Sequence, residues 1–241
     1  MTSPFPPPPP GIARIWVASL DAPPLPLDQL EACLSPGEAG RMRRFAFPEL
    51  RARYAAGRGL LRHVLGAALG TAPDAVALVE HGNGRPAVAG PAPLAFNVSH
   101  SRDVLAIALV TGAEASALPL GVDVEHLVDV PEMAGVAERV FDEGERAALD
   151  ARAGAERLAT FHRLWTRKEA CMKATGAGFA LAPITFRVDA DAAVQRVALP
   201  PHAQAPDGAT VEVHDVAARG SVAAALALGG QGWRVEVMRL G

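Results

Sequence analysis

Residues 161–179 read FHRLWTRKEACMKATGAGF, an amphipathic helix with a lysine in the middle of its apolar face. At about 100° per residue, Phe161, Leu164, Trp165, Cys171 and Met172 fall on one stripe, and Lys168 projects from its centre. Glu169 and Lys173, four apart, share the stripe's flank, with His162 two turns back. Lys168 then has two readings. Either its stem packs while its ammonium snorkels to water, or the helix lines a cleft that holds an anion. In the second reading Lys168 and Lys173 are cationic contacts and Glu169 is a base or metal ligand.

Around this helix lies a chain of 241 residues, half of them hydrophobic, long enough for one large domain or two smaller ones. A net charge of −3 points to neither nucleic acid nor a membrane surface as partner. Two cysteines, Cys33 and Cys171, do not make a disulfide framework, so a reducing cytoplasm is expected. MTSPFPPPPP lacks the pattern of a signal peptide and reads as a disordered polyproline II tail over residues 1–10. SVAAALALGG is too short and too glycine-rich to span a bilayer. A soluble protein is expected.

After the tail, IARIWVASL alternates like a strand, and Ser35 to about Leu69 reads as helix in two pieces. Ser35, Pro36 and Glu38 supply an N-cap, a first-turn proline and a capping-box acid, and Pro48 breaks the run. HGNGRPAVAG is turn-rich; LAFNVSH, VLAIALV and LGVDVEHL follow as strands. From Asp142 comes a polar helix start, a helix ending near Ala174, and strands in ITFRVD, TVEVHDV and WRVEVMRL. Helix-plus-sheet content in each half suggests a diverged duplication with a boundary near Pro119. The expectation is an α+β protein of two similar lobes, residues 11–118 and 119–241, with the ligand site between them.

Three polar clusters could carry chemistry. In GVDVEHL, alternation turns Leu120, Val122 and Val124 to one side and Asp123 and Glu125 to the other, about 7 Å apart along the backbone. Such a pair is either an exposed strand face or two oxygen ligands of one Mg²⁺, with Glu169 as a third carboxylate. FNVSHS places Asn97 and Ser99 on one face and His100 on the other, as phosphate donors or as a polar turn. Seven arginines between Arg41 and Arg62 form a solvated helix face, a phosphate site or a dock for an acidic protein. Arg85 sits in the turn GRP, as a surface arginine or a placed guanidinium.

In combination and order, GVDVE, then WTRKEACMK some forty residues on, with FNVSHS ahead of them, resembles the paired signature of the 4'-phosphopantetheinyl transferases. The stretches GRMRRF, GRP and GAGF fit the same resemblance, which covers roughly residues 35 to 190. Its length resembles the larger branch, similar to the surfactin-synthetase activating enzyme, in which one chain holds two α/β lobes as a pseudo-dimer. The resemblance implies transfer of phosphopantetheine from coenzyme A to a serine of an apo acyl or peptidyl carrier protein, with release of 3',5'-ADP. It implies Mg²⁺ held by Asp123, Glu125 and Glu169, and Lys173 and Lys168 against the pyrophosphate. Glu169 would take the serine proton, directly or through a metal-bound water, while Arg41, Arg85, Ser99 and His100 surround the nucleotide and its 3'-phosphate. A cytoplasmic monomer is implied, with no nucleic-acid or membrane partner. Two other readings keep the same residues: a catalytically silent carrier-binding protein, and a Mg²⁺-dependent nucleotide hydrolase with water as nucleophile.

Overall fold

A computed structural model describes residues 4–80, 84–202, 205–218 and 220–240, without the side chain of Phe179. Residues 1–3 of the tail and 81–83 of the turn-rich connection lie outside the described residues. The N-terminal half runs β1 (Ile12–Ser19), α1 (Leu27–Ala32), α2 (Pro36–Arg43), α3 (Pro48–Leu69), β2 (Leu78–Glu80), β3 (Pro86–Val88), β4 (Leu94–Ser101) and β5 (Val104–Thr111). The C-terminal half runs β6 (Leu120–His126), α4 (Met133–Val140), α5 (Glu143–Asp150), α6 (Gly154–Thr175), β7 (Val194–Leu199), β8 (Ala209–Asp215), β9 (Val222–Gly229) and β10 (Arg234–Leu240).

Two four-stranded sheets, ordered β10-β1-β5-β4 and β6-β9-β8-β7, form the two lobes, and β2 and β3 pair as a separate hairpin. The hydrophobic pattern sorts into three cores. One lies under α3, with Leu60, Val64 and Leu65 against Trp16, Phe96 and Ile107. A second lies under α6, with Phe161, Leu164 and Met172 against Val211, Val213 and Ala225. The third is shared by the sheets: Ile15, Ala106 and Ala108 face Val122, Val124 and Leu226. The molecule is therefore layered helix, sheet, sheet, helix. Strands buried on both faces explain why β5 and β9 read as continuous apolar runs rather than alternating ones.

Local signals worked where they were strong. Ser35 caps α2 with a reciprocal capping box to Glu38, and Pro48 opens α3 at its first turn. Asp142 and Glu145 form a second capping box that opens α5, separate from α6. Gly121 has a steric reason: a Cβ there would run into the backbone of Ala170 and Ala174, so its absence lets α6 lie directly on β6.

Three expectations are corrected. The tail is not a free polyproline strand over its described part, since Phe5 is buried at 1 % exposure in the α3 core. Arg14 donates to the carbonyls of Pro6 and Pro7, and the Thr111 hydroxyl donates to that of Pro8. ITFRVD is not a strand: Pro183–Thr185 is a 3-10 turn, and the stretch beyond it spends its backbone groups on side chains of α5 and α6 rather than on a ladder. Finally, the second lobe does not extend over all of residues 119–241. β10 pairs in parallel with β1, from Ile12 beside Arg234 to Ala18 beside Leu240, and so completes the N-terminal sheet.

Candidate active site

Strands β4 and β6 are the edges of their sheets and run alongside each other at the seam between lobes, joined through side chains. Asn97 Oδ1 accepts the Val122 amide at 3.0 Å, the Ser99 hydroxyl donates to Asp123 at 2.9 Å, and the Ser101 hydroxyl donates to Glu125 at 2.7 Å. Every second residue of β4 thus turns to β6, as the period of 2 requires, and the three side chains meet Val122, Asp123 and Glu125 in turn. The same period turns Val98 and His100 to the opposite face, toward α3.

Helix α6 supplies the other half. With Gly121 removing the steric bar, Lys173 reaches Asp123 at 2.6 Å and Ser99 at 3.0 Å. Burial pushes the Asp123 carboxyl up, against the pull of Lys173. Glu169, half-buried one turn before Lys173, is pushed up by burial first and by the Asp123 charge second, with Glu125 adding to it. The three carboxylates, all from the C-terminal lobe, therefore feel one another beside the seam.

Asp123 Oδ2 is buried without a hydrogen-bond partner. An orphaned carboxylate oxygen among like charges is a place that gains from a cation. Among the described residues no three His, Cys, Asp or Glu side chains are drawn together as a ready metal cage. Mg²⁺ needs no such cage, since it takes one or two carboxylates and completes its shell with water and substrate phosphate. The oxygen-only donor set of Asp123, Glu125 and Glu169 fits that ion.

On the α3 side of β4 lies a cavity of ≈ 650 Å³ lined by Arg41, Arg53, Tyr54, Arg58, His100 and Arg102 among others. It adjoins a smaller one of ≈ 240 Å³ that reaches Lys173, the two sharing Gly84, Pro86 and Val98. Arg41 lies over the Tyr54 ring at 5.8 Å and pairs with Glu80 at 3.2 Å. The basic stretch of α2 and α3 is thus partly a cavity wall rather than a solvated face alone.

Two expected contacts are placed elsewhere. Lys168 neither snorkels nor faces the cleft. It is 2 % exposed, paired at 2.9 Å with Glu145, itself 1 % exposed, and donates to the carbonyls of Pro183 and Phe186. The apolar stripe faces the C-terminal core, so the charge at its centre is neutralised inside that core. Arg85 lines the smaller cavity with Lys173 rather than the one that Arg41 lines. Its guanidinium donates to the carbonyls of Lys173 at 2.7 Å and Leu120 at 3.2 Å, fastening the end of α6 to the start of β6. Burial lowers its pKa. Ser101, Glu145 and Glu80 went unread in the sequence. Alternation along FNVSHS could have found Ser101, and the capping-box spacing from Asp142 could have marked Glu145 as a cap though not as the partner of Lys168; no local signal marks Glu80.

Carboxylates and cations thus converge on a lobe seam beside an arginine-lined cavity, an arrangement whose charges would suit an anionic, phosphate-bearing substrate. Residues 119–227 match the 4'-phosphopantetheinyl transferase superfamily, and residues 24–111 match the N-terminal 4'-phosphopantetheinyl transferase family. The chain is 37 % identical over 170 residues to the 4'-phosphopantetheinyl transferase HetI of Nostoc sp., covering 69 % of this chain and 70 % of that one. It is 31 % identical to the 4'-phosphopantetheinyl transferase psf-1 of Bacillus pumilus, covering 68 % of each. To the 4'-phosphopantetheinyl transferase AcpT of Salmonella typhimurium it is 38 % identical, over 52 % of this chain and 59 % of that relative. This chain belongs to the 4'-phosphopantetheinyl transferases and is a transferase enzyme.

Proposed function

We propose that this enzyme moves the 4'-phosphopantetheine arm of coenzyme A onto a serine hydroxyl of an apo acyl or peptidyl carrier protein and releases 3',5'-ADP. The observation that carries the reading is the Ser99–Asp123–Lys173 cluster, with Glu169 beside it, at the end of the cavities that a nucleotide and its arm would follow. In this reading Arg41 and His100 line the nucleotide cavity, with Arg41 on the 3'-phosphate. Lys173 neutralises charge growing on the pyrophosphate, and Ser99 fixes the Asp123 carboxylate that Lys173 grips. Asp123, Glu125 and Glu169 hold Mg²⁺, which when bound supplies charge neutralisation of the pyrophosphate. Burial and the Asp123 charge push the Glu169 carboxyl up, and Glu169 takes the serine proton, directly or through a water. The serine oxygen attacks the β-phosphorus, the bond from that phosphorus to the bridging oxygen breaks, and 3',5'-ADP carries the electron pair away.

The setting we propose is a cytoplasmic monomer without nucleic-acid or membrane partners. In its support, the described residues contain no helix long and apolar enough to cross a membrane, and both cysteines are free and buried. The test is mass spectrometry of an apo carrier incubated with enzyme, coenzyme A and Mg²⁺. One phosphopantetheine is gained, and Asp123→Ala or thorough chelation with EDTA abolishes the gain. Activity that survives chelation removes the metal assignment. Coenzyme A consumed in the absence of any carrier turns the reading to a nucleotide hydrolase.

A further inference from the structure

The hairpin between β4 and β5 turns through Arg102 and Asp103, since Ser101 pairs with Val104 across it. Arg102 has φ 51°, and among the described residues only it and Glu132 combine a side chain with positive φ. A two-residue hairpin loop with positive φ at its first central position alone is a place for glycine. A side chain held there is strained, and such outliers gather at ligand clamps. Asp103, the other loop residue, is tied to its own chain: its carboxylate lies 3.1 Å from His126 Nε2 and its carbonyl accepts the Leu20 amide at 2.6 Å.

What Arg102 does have is the cavity, which it lines. The other three arginines there are each committed to a carboxylate of their own chain. Arg53 pairs with Asp21, Arg58 with Glu38 and Glu80, and Arg41 with Glu80. Among the described residues Arg102 is the one arginine of that cavity with no hydrogen bond or ion pair. The Asp123–Lys173 pair does not line this cavity, so the anionic group that enters it is the nucleotide's own phosphomonoester rather than the pyrophosphate.

We infer that Arg102 is a further binding residue for the ribose 3'-phosphate of coenzyme A, presented uncommitted by its backbone while Arg41 must first release Glu80. The inference rests on the function proposed above. Arg102→Gly and Arg102→Asn, both tolerant of positive φ, are compared with the parent in carrier-modification kinetics using coenzyme A and 3'-dephospho-coenzyme A. The KM for coenzyme A is expected to rise about tenfold, the scale of one charge-assisted hydrogen bond, and that for 3'-dephospho-coenzyme A less than twofold. The melting temperature of Arg102→Gly is expected at or above the parent's, which a merely structural arginine would not give. An unchanged KM for coenzyme A, or an equal rise for both substrates, overturns the inference while leaving an active parent's function standing. A parent that leaves the apo carrier unmodified overturns both.

Discussion

Glu169 shows how one side chain can be held in tension by its neighbours. Burial and the Asp123 charge both favour its protonated form, so its folded pKa lies above the ordinary glutamate value of about 4.3. A raised folded pKa contributes stability that is fully present below the unfolded value and is lost as pH rises through the folded one. Glu169→Gln cannot ionise and escapes that loss. In metal-free buffer the variant should therefore melt a few degrees above the parent near pH 7, and the gap should close on acidification below the ordinary carboxylate range. With Mg²⁺ supplied, kcat should fall by roughly 10²–10⁴, the scale of a lost general base. A variant no more stable than the parent at neutral pH would show that Glu169 is not destabilised by its site.

Among the elements, α6 carries two charges of opposite purpose. Lys173 reaches out of the helix to the seam, whereas Lys168, five residues earlier, is turned inward onto Glu145. Glu145 is a hub: besides Lys168 it accepts the amides of Val188 and Asp142, so one carboxylate ties α5, α6 and the segment after Pro183 together. Burial pushes Glu145 up and Lys168 down, so each depends on the other to stay charged. Lys168→Met should destabilise by about 3–5 kcal/mol by stranding Glu145, and adding Glu145→Gln should recover part of that loss. The coupling is read by denaturation of the two single variants and the double variant. A Lys168→Met protein as stable as the parent would return Lys168 to a snorkelling role. WTRKE, read as a helix face, told that a lysine sits in an apolar stripe; that its ammonium is buried on Glu145, a partner from the capping box of α5, is invisible to helical periodicity.

At the scale of the molecule the two lobes are not separate along the chain. The N-terminal sheet is finished by β10, whose Met238 and Leu240 join the α3 core and whose Val235 and Val237 join the core between the sheets. Phe5 seals the same α3 core from the other end of the described chain. Removing residues 234–241 should expose β1 as a new edge and strip both cores, lowering the melting temperature well beyond the effect of a surface change. It should also lower transferase activity, because β4, which holds Asp123 and Glu125, belongs to that sheet. A truncated chain with unchanged melting would show that β10 is an ornament of the fold. Parallel pairing across the length of the chain is also a non-local contact, slow to form because loop closure precedes it.

Local sequence was enough for the capped helices, the alternating strands and the two-lobed α+β class, and it singled out Asp123, Glu125, Glu169 and Lys173 as candidates for one site. Each depends on neighbours within a few residues or on spacing along one element, where 3.6 and 2 residues per repeat dictate direction. The assembled layers alone reveal that Lys168 pairs with Glu145, that Arg85 fastens α6 to β6, that Arg41 and Arg58 share Glu80, and that β10 lies beside β1. Those outcomes depend on which distant group reaches a buried charge or a bare strand edge first. A lone lysine or arginine looks the same in sequence whether it meets a phosphate, a carboxylate or a carbonyl, because the desolvation that makes the choice exists only once the layers have closed.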